Sequence, residues 1–155
     1  MKSILFVCTG NTCRSSMAEA LLKHILEKEG LASQYRVSSA GTSAFPGMPA
    51  SYNAIEALSQ IGIDLSFHSS SAVTKEAVDN AELILTMTAD HKKYLQQRYA
   101  EAVGKTFTLK EYAEGKGGDI EDPFGGDIET YIYCRDKLMD TLNNLVEKLK
   151  LKGDI

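Results

Sequence analysis

Cys8 and Arg14 bracket the polar stretch Thr9-Gly10-Asn11-Thr12-Cys13, and Ser15 follows directly. The stretch stands between an apolar run, Ile4-Leu5-Phe6-Val7, and a helical pattern that begins near Arg14. A short loop that runs from a strand into a helix N-terminus can turn successive backbone N–H groups inward. The helix dipole then adds positive potential at its mouth. The backbone of Thr9, Gly10, Asn11, Thr12, Cys13 and Ser15 would thus line a cup for a tetrahedral oxyanion, with a thiol at its base. The same amides and dipole favour the thiolate of Cys8. Arg14 can close the cup by gripping two phosphate oxygens with its planar guanidinium. Phosphoryl transfer to Cys8 is the chemistry these residues suit. Ser15 can direct its hydroxyl at the Cys8 sulfur, holding the thiolate and later releasing it. Gly10 and Asn11 fit a loop that curls around an anion, because both tolerate positive φ. Cys8 alone would read as a small core hydrophobe; the whole stretch does not.

Removing a phosphoryl group also needs an acid to protonate the leaving group and a base to activate water, and one carboxyl can serve both steps. The glycine-rich segment Gly117-Gly118-Asp119-Ile120-Glu121-Asp122-Pro123-Phe124-Gly125-Gly126 reads as a surface loop rich in carboxylates. Pro123 biases Asp122 toward an extended conformation, which helps fix its carboxylate. Spacing alone leaves Asp119, Glu121 and Asp127 in competition with Asp122.

The elements that must hold these groups alternate between strands and helices. Strands are predicted over Ser3–Val7, Tyr35–Ser39, Leu83–Met87 and Thr106–Leu109, and helices over Arg14–Lys28, Tyr52–Gln60, Lys75–Asn80 and Ala89–Tyr99. A final helix from about Asp127 to Leu151 carries Ile128, Tyr131, Ile132, Leu138, Met139, Leu142, Leu145, Val146 and Leu149 on one face. The alternation predicts an α/β fold, a three-layer single domain over 1–155 whose parallel sheet is covered by helices on both sides. Sites in such folds lie at the carboxyl ends of strands, where Cys8 falls. His91 is expected to be exposed on its helix, and Cys134 to be core.

A chain of 155 residues and 17.0 kDa is long enough to bury a core as one domain. Its 43% hydrophobic and 25% charged content are those of a globular protein in water. No segment is apolar for long enough to span a bilayer, and no signal peptide is evident. Three cysteines, two of them in one loop, argue against a disulfide scaffold and for a reducing cytoplasm. A net charge of -4 makes nucleic acid an unfavourable partner. Cys134 is remote and no histidine lies near Cys8 in the sequence, so no metal site is expected.

Cys8 to Ser15 resembles the signature loop of the low-molecular-weight protein tyrosine phosphatases, with five residues between cysteine and arginine. The likeness continues through Met17-Ala18-Glu19-Ala20, Val37-Ser38-Ser39-Ala40-Gly41-Thr42, Leu83-Ile84-Leu85-Thr86-Met87-Thr88 and Asp122-Pro123-Phe124-Gly125-Gly126. The resemblance therefore covers nearly the full chain. It implies a four-stranded parallel sheet and a phosphocysteine intermediate, with no cofactor. It selects Asp122, before Pro123, as the acid, and gives Asn11, Ser39 and His68 the task of holding the loop in shape. For Cys13 it suggests a reversible disulfide with Cys8, where simple packing is the other reading. Ser16 departs from the family's usual proline at the start of the helix, and serine there is only modestly worse.

Within that family, Thr12 stands where tyrosine-directed members carry Ile or Leu, and Phe124 is followed by two glycines rather than a second aromatic. A Thr12 collar with a Phe-Gly-Gly rim resembles the protein-arginine-phosphatase branch, as does Lys105-Thr106-Phe107-Thr108-Leu109-Lys110-Glu111-Tyr112. A planar, donor-rich phosphoguanidinium suits a polar collar and a nearby carboxylate. Phosphorylated proteins are thus the expected substrates, phosphoarginine ahead of phosphotyrosine, for a monomer or weak dimer. An arsenate reductase would need a relay cysteine, and none lies between Cys13 and Cys134. A non-catalytic phosphate binder would need neither the thiol nor the acid.

Overall fold

The structure, a computed structural model, describes residues 1–151; the end of the domain expected over 1–155 lies outside them. The N-terminal apolar run forms β1 (Lys2–Cys8), buried from Ile4 onward. Its side chains alternate between two cores. Ile4, Phe6 and Cys8 enter the larger one, whereas Leu5 and Val7 enter the smaller one on the opposite face. An unbroken apolar run is the expected signature of a parallel strand covered on both sides.

Three further strands complete one sheet: β2 (Tyr35–Gly41), β3 (Leu83–Thr86) and β4 (Thr106–Thr108). Every pairing is parallel and the spatial order is β2-β1-β3-β4. The order reverses between β1 and β3, which creates a crevice at their carboxyl ends. Helices α1 (Arg14–Lys28), α2 (Tyr52–Ser59), α5 (Leu109–Glu114) and α6 (Ile128–Leu151) cover the face of the larger core. Helices α3 (Lys75–Asn80) and α4 (Ala89–Arg98) cover the other. The three-layer α/β architecture agrees with the sequence expectation.

The largest departures from it are one element boundary and one side chain. The strand expected over Thr106–Leu109 stops at Thr108, where a capping box starts α5. The Thr108 hydroxyl accepts from Glu111 N–H, and the Glu111 carboxylate accepts from Thr108 N–H. That Thr-x-x-Glu spacing was legible as a helix start. His91, expected on the surface, is only 7% exposed and sits in the crevice. On α6, buried positions include Cys134, Arg135 and Thr141 besides most of the predicted apolar stripe, of which Ile128, Ile132 and Met139 are partly buried. Arg135 reaches the Ala57 carbonyl at 2.9 Å and so ties α6 to α2. The polar ends of such long side chains are buried only when they find partners.

Candidate active site

The loop after β1 is shaped by what its carbonyls do. Those of Cys8 and Thr9 accept from the N–H groups of Thr42 and Ser43, both at 2.9 Å, and that of Thr12 accepts from Ser51 N–H at 3.0 Å. The Asn11 carbonyl accepts from His68 Nε2 at 2.7 Å. With these carbonyls fastened outward, amides are left to face inward, and Asn11 N–H points to the Cys8 sulfur at 3.3 Å.

Asn11 adopts φ 59°, a positive value rare outside glycine. Gly10 does not share it, so the expectation of left-handed backbone holds at one of the two positions. Fully buried, Asn11 spends its whole amide locally. Its Nδ2 donates to Ser15 Oγ (2.8 Å) and Ser39 Oγ (2.9 Å), while Oδ1 accepts from Ser71 N–H (2.8 Å). Ser15 Oγ, already accepting from Asn11, has its own proton free for the Cys8 sulfur 2.8 Å away. Ser39 Oγ in turn donates to Glu19 at 2.6 Å. Gly41 is required for a different reason. A Cβ there would overlap the Thr9 carbonyl oxygen and lie 2.8 Å from Ala44 Cβ, so β2 can press against the loop only without a side chain.

Arg14 opens α1 and is 5% exposed. One arm, Nη1, donates to the Ile120 carbonyl at 3.0 Å. The other, Nη2, lies 3.5 Å from Asp122 Oδ2. Its Nε is buried and has no hydrogen-bond partner among the described residues. A buried, unpaired donor on a cation is costly. An anion bound against the Nε–Nη2 edge would remove that cost.

The segment carrying Asp122 is fixed at its start. Ile120 N–H donates to the Met87 carbonyl at 2.8 Å, and Asp119 accepts from the first N–H of α4 at 2.9 Å. Asp119 is thereby engaged at a helix N-terminus, and Asp127 accepts from Thr130. Asp122 is the carboxylate beside Arg14. Its side chain is half exposed, and Oδ1 accepts from Phe124 N–H. Gly126 must be small, because a Cβ would lie 2.8 Å from the Thr130 side chain. A cavity of about 210 Å³ results, lined by Cys8, Thr9, Thr12, Arg14, Asp122 and Phe124 among others. Phe124 is 75% exposed at its rim.

Cys13 also lines this cavity, and its sulfur lies 3.3 Å from Tyr131 Oη and 3.4 Å from Ser51 Oγ. All three cysteines are free. Burial pushes the Cys134 thiol up to about 12, as suits a packed core residue. Among the described residues no cluster of His, Cys, Asp or Glu is suited to a metal ion. No helix there is long and apolar enough to cross a membrane.

The family model for low molecular weight phosphotyrosine protein phosphatases matches residues 3–154. The chain belongs to that family. A protein-arginine-phosphatase of Bacillus subtilis is 48% identical over 147 residues, covering 95% of this chain and 96% of the relative. A solved YwlE arginine phosphatase, a cysteine-to-serine mutant with a phosphorylated active-site serine, superposes with a TM-score of 0.92. It is 47% identical and covers 96% of this chain and 95% of its own. More distant is a probable low molecular weight protein-tyrosine-phosphatase, EpsP, of Ralstonia solanacearum. It is 41% identical over 80% of this chain and 79% of its own length. Family membership and fold thus agree with the sequence reading. The residue that reading missed is His91, whose placement depends on the packing of α4 and left no local signal.

Proposed function

We propose that this phosphatase removes phosphate from phosphoarginine residues of proteins through a phosphocysteine on Cys8. The observation that carries the chemistry is the pairing of two groups in one cavity. The Cys8 sulfur is held by Ser15 and the Asn11 amide, and beside it Arg14 keeps an unpartnered Nε. In the first step the Cys8 thiolate attacks phosphorus, forming an S–P bond as the P–N bond to the guanidinium breaks. Arg14 and the loop amides stabilise the equatorial oxygens. Asp122 donates a proton to the departing nitrogen. In the second step Asp122 takes a proton from water, whose oxygen attacks phosphorus, and the S–P bond breaks to return the thiolate to the Ser15 hydroxyl. Both steps close without a metal or cofactor.

Three features support phosphoarginine: Thr12 presents a polar collar, Phe124 is a lone aromatic at the rim, and relatives at 48% identity are named protein-arginine-phosphatases. Phe124 could also flank an aryl group, as the tyrosine-phosphatase relatives would require. The substrates are then phosphorylated proteins of a reducing cytoplasm, met by one domain that works as a monomer or weak dimer. Under peroxide, a Cys8 sulfenic acid would condense with the Cys13 thiol, releasing water and forming a disulfide that thiols reopen.

Phosphate release from matched phosphoarginine and phosphotyrosine peptides tests the assignment, with Cys8→Ser as the blank. A phosphoarginine preference that Thr12→Ile shifts toward phosphotyrosine is expected. A phosphotyrosine preference in the unaltered protein would keep the mechanism and discard the substrate.

A further inference from the structure

The crevice between β1 and β3 holds a second polar chain that the two displacement steps do not use. Thr88 caps α4, its Oγ1 accepting from His91 N–H at 3.2 Å. From the first turn of that helix the imidazole of His91 crosses the crevice to the loop after β1. Its Nε2 lies 2.9 Å from Thr9 Oγ1, and its Nδ1 lies 3.0 Å from Thr88 Oγ1. Burial, and then the charge of Arg14, lower the His91 pKa to about 4, against opposing pulls from Asp119, Asp90 and Asp122. The ring is therefore neutral near pH 7 and has a single N–H to place.

The chain has a direction. Thr88 Oγ1 already accepts from the helix, so its own proton is available for Nδ1. In the tautomer that takes this proton on Nδ1's lone pair, the ring N–H is at Nε2 and donates to Thr9 Oγ1. With its oxygen thus fixed from behind, Thr9 keeps its hydroxyl proton for the other side, where it lines the cavity with Cys8 and Arg14. The Cys8 sulfur has its donors in Ser15 and the Asn11 amide. A phosphoryl group bound in that cavity would bring an acceptor oxygen to the Thr9 side of it.

We propose that His91 is a positioning residue that fixes the Thr9 hydroxyl as a donor to a phosphoryl oxygen. Thr9 then adds a side-chain hydrogen bond to those of Arg14 and the loop amides, across the point where the sheet order reverses. The arrangement uses one helix N-terminus to orient an imidazole and a second to bind the anion. This inference rests on the phosphatase reading of the same site.

Four variants test it: Thr9→Val, His91→Leu, the double variant, and His91→Gln, which restores an N–H near the Nε2 position. The readouts are kcat and KM on a phosphopeptide, and inhibition by vanadate compared with inorganic phosphate. Vanadate on a thiolate adopts the five-coordinate geometry of the transition state, so a donor used there should be felt more by vanadate than by phosphate. Thr9→Val and His91→Leu should each lower kcat and weaken vanadate by about tenfold, the worth of one hydrogen bond to a charged group. The double variant should be no worse than either, because His91 acts through Thr9. His91→Gln should recover most of the loss.

Full additivity in the double variant would overturn the proposal, as would a His91→Leu protein that loses thermal stability with unchanged kinetics. Thr9→Val decides the matter even if His91→Leu fails to fold, since unchanged vanadate inhibition there removes the donor. Neither turnover nor vanadate inhibition in the unaltered protein would instead strike the phosphatase reading itself.

Discussion

The loop from Cys8 to Ser15 and the segment from Gly117 to Gly126 face each other across one cavity and are built in opposite ways. In the first, Cys8, Asn11, Arg14 and Ser15 are buried, and four carbonyls and both ends of the Asn11 amide are engaged. The second is anchored at Asp119 and Ile120, after which Asp122 and Phe124 stand half or more exposed. The difference fits the task proposed for each half. Stabilising charge on phosphorus needs donors already in place, because their reorganisation would add to the barrier. Delivering a proton to a leaving group on another protein needs an open approach. Rigidity therefore goes with the proposed nucleophile, and access for the leaving group with the rim.

The largest effects should come from the buried half. Cys8→Ser is expected to lower turnover by at least about 10⁴-fold, since the hydroxyl is a far weaker nucleophile at neutral pH; phosphate release measures it. Arg14→Lys should cost about 10²–10³-fold in kcat, because an ammonium cannot offer the Nε–Nη2 edge while also meeting the Ile120 carbonyl. Comparable activity in Arg14→Lys would break the comparison at its strongest point.

Asp122→Asn should lower kcat on phosphopeptides by about 10²–10³-fold while leaving folding intact, as its side chain is exposed. Read as kcat/KM, which reports the first displacement alone, the loss should shrink for an activated aryl phosphate, whose leaving group departs without a proton. An equal loss of kcat/KM on both substrates would assign Asp122 to structure instead.

Gly41→Ala sharpens the contrast from the side of stability. The added methyl must displace the Thr9 carbonyl or Ala44, so about 1–3 kcal/mol of stability should be lost, with activity falling alongside. Denaturant unfolding measures the first and phosphate release the second. The smallest effect belongs to Ser16, whose Oγ donates to the Cys13 carbonyl at 2.9 Å within the first turn of α1. Ser16→Pro should alter activity by less than about threefold, since proline suits the first turn of a helix.

Acid should reach the crevice through His91. Its folded pKa of about 4 lies below the ordinary 6.5. The unfolded chain therefore binds the proton more readily, and stability is lost as pH falls from 6.5 toward 4. His91 should account for up to about 3 kcal/mol of the loss across that window, and that share should be missing in His91→Gln. Urea unfolding at pH 7 and pH 4.5 reads it.

What was legible in the sequence was whatever physics writes locally. The run Ile4 to Val7 announces a doubly covered strand, and the step from β1 into α1 announces an anion cup. Thr108 and Glu111 also announced a helix, through a spacing that the strand expected over Thr106–Leu109 overrode. Other features exist only once distant segments meet. The Ile120 carbonyl that holds Arg14 is 106 residues away, and the Thr9 hydroxyl that meets His91 is 82 residues away. Gly41 is needed because of the loop beside it, and nothing in its own neighbourhood of sequence says so.

The most direct test of the account is to catch the phosphoryl group on its acceptor. Asp122→Asn, mixed with an activated aryl phosphate and quenched in acid, should release its aryl group in a burst approaching one equivalent of protein. One phosphoryl group should then map to Cys8 by mass spectrometry, because the second step still needs the base that the variant lacks. Rapid turnover without a burst, or a phosphoryl group carried by any residue other than Cys8, would contradict it.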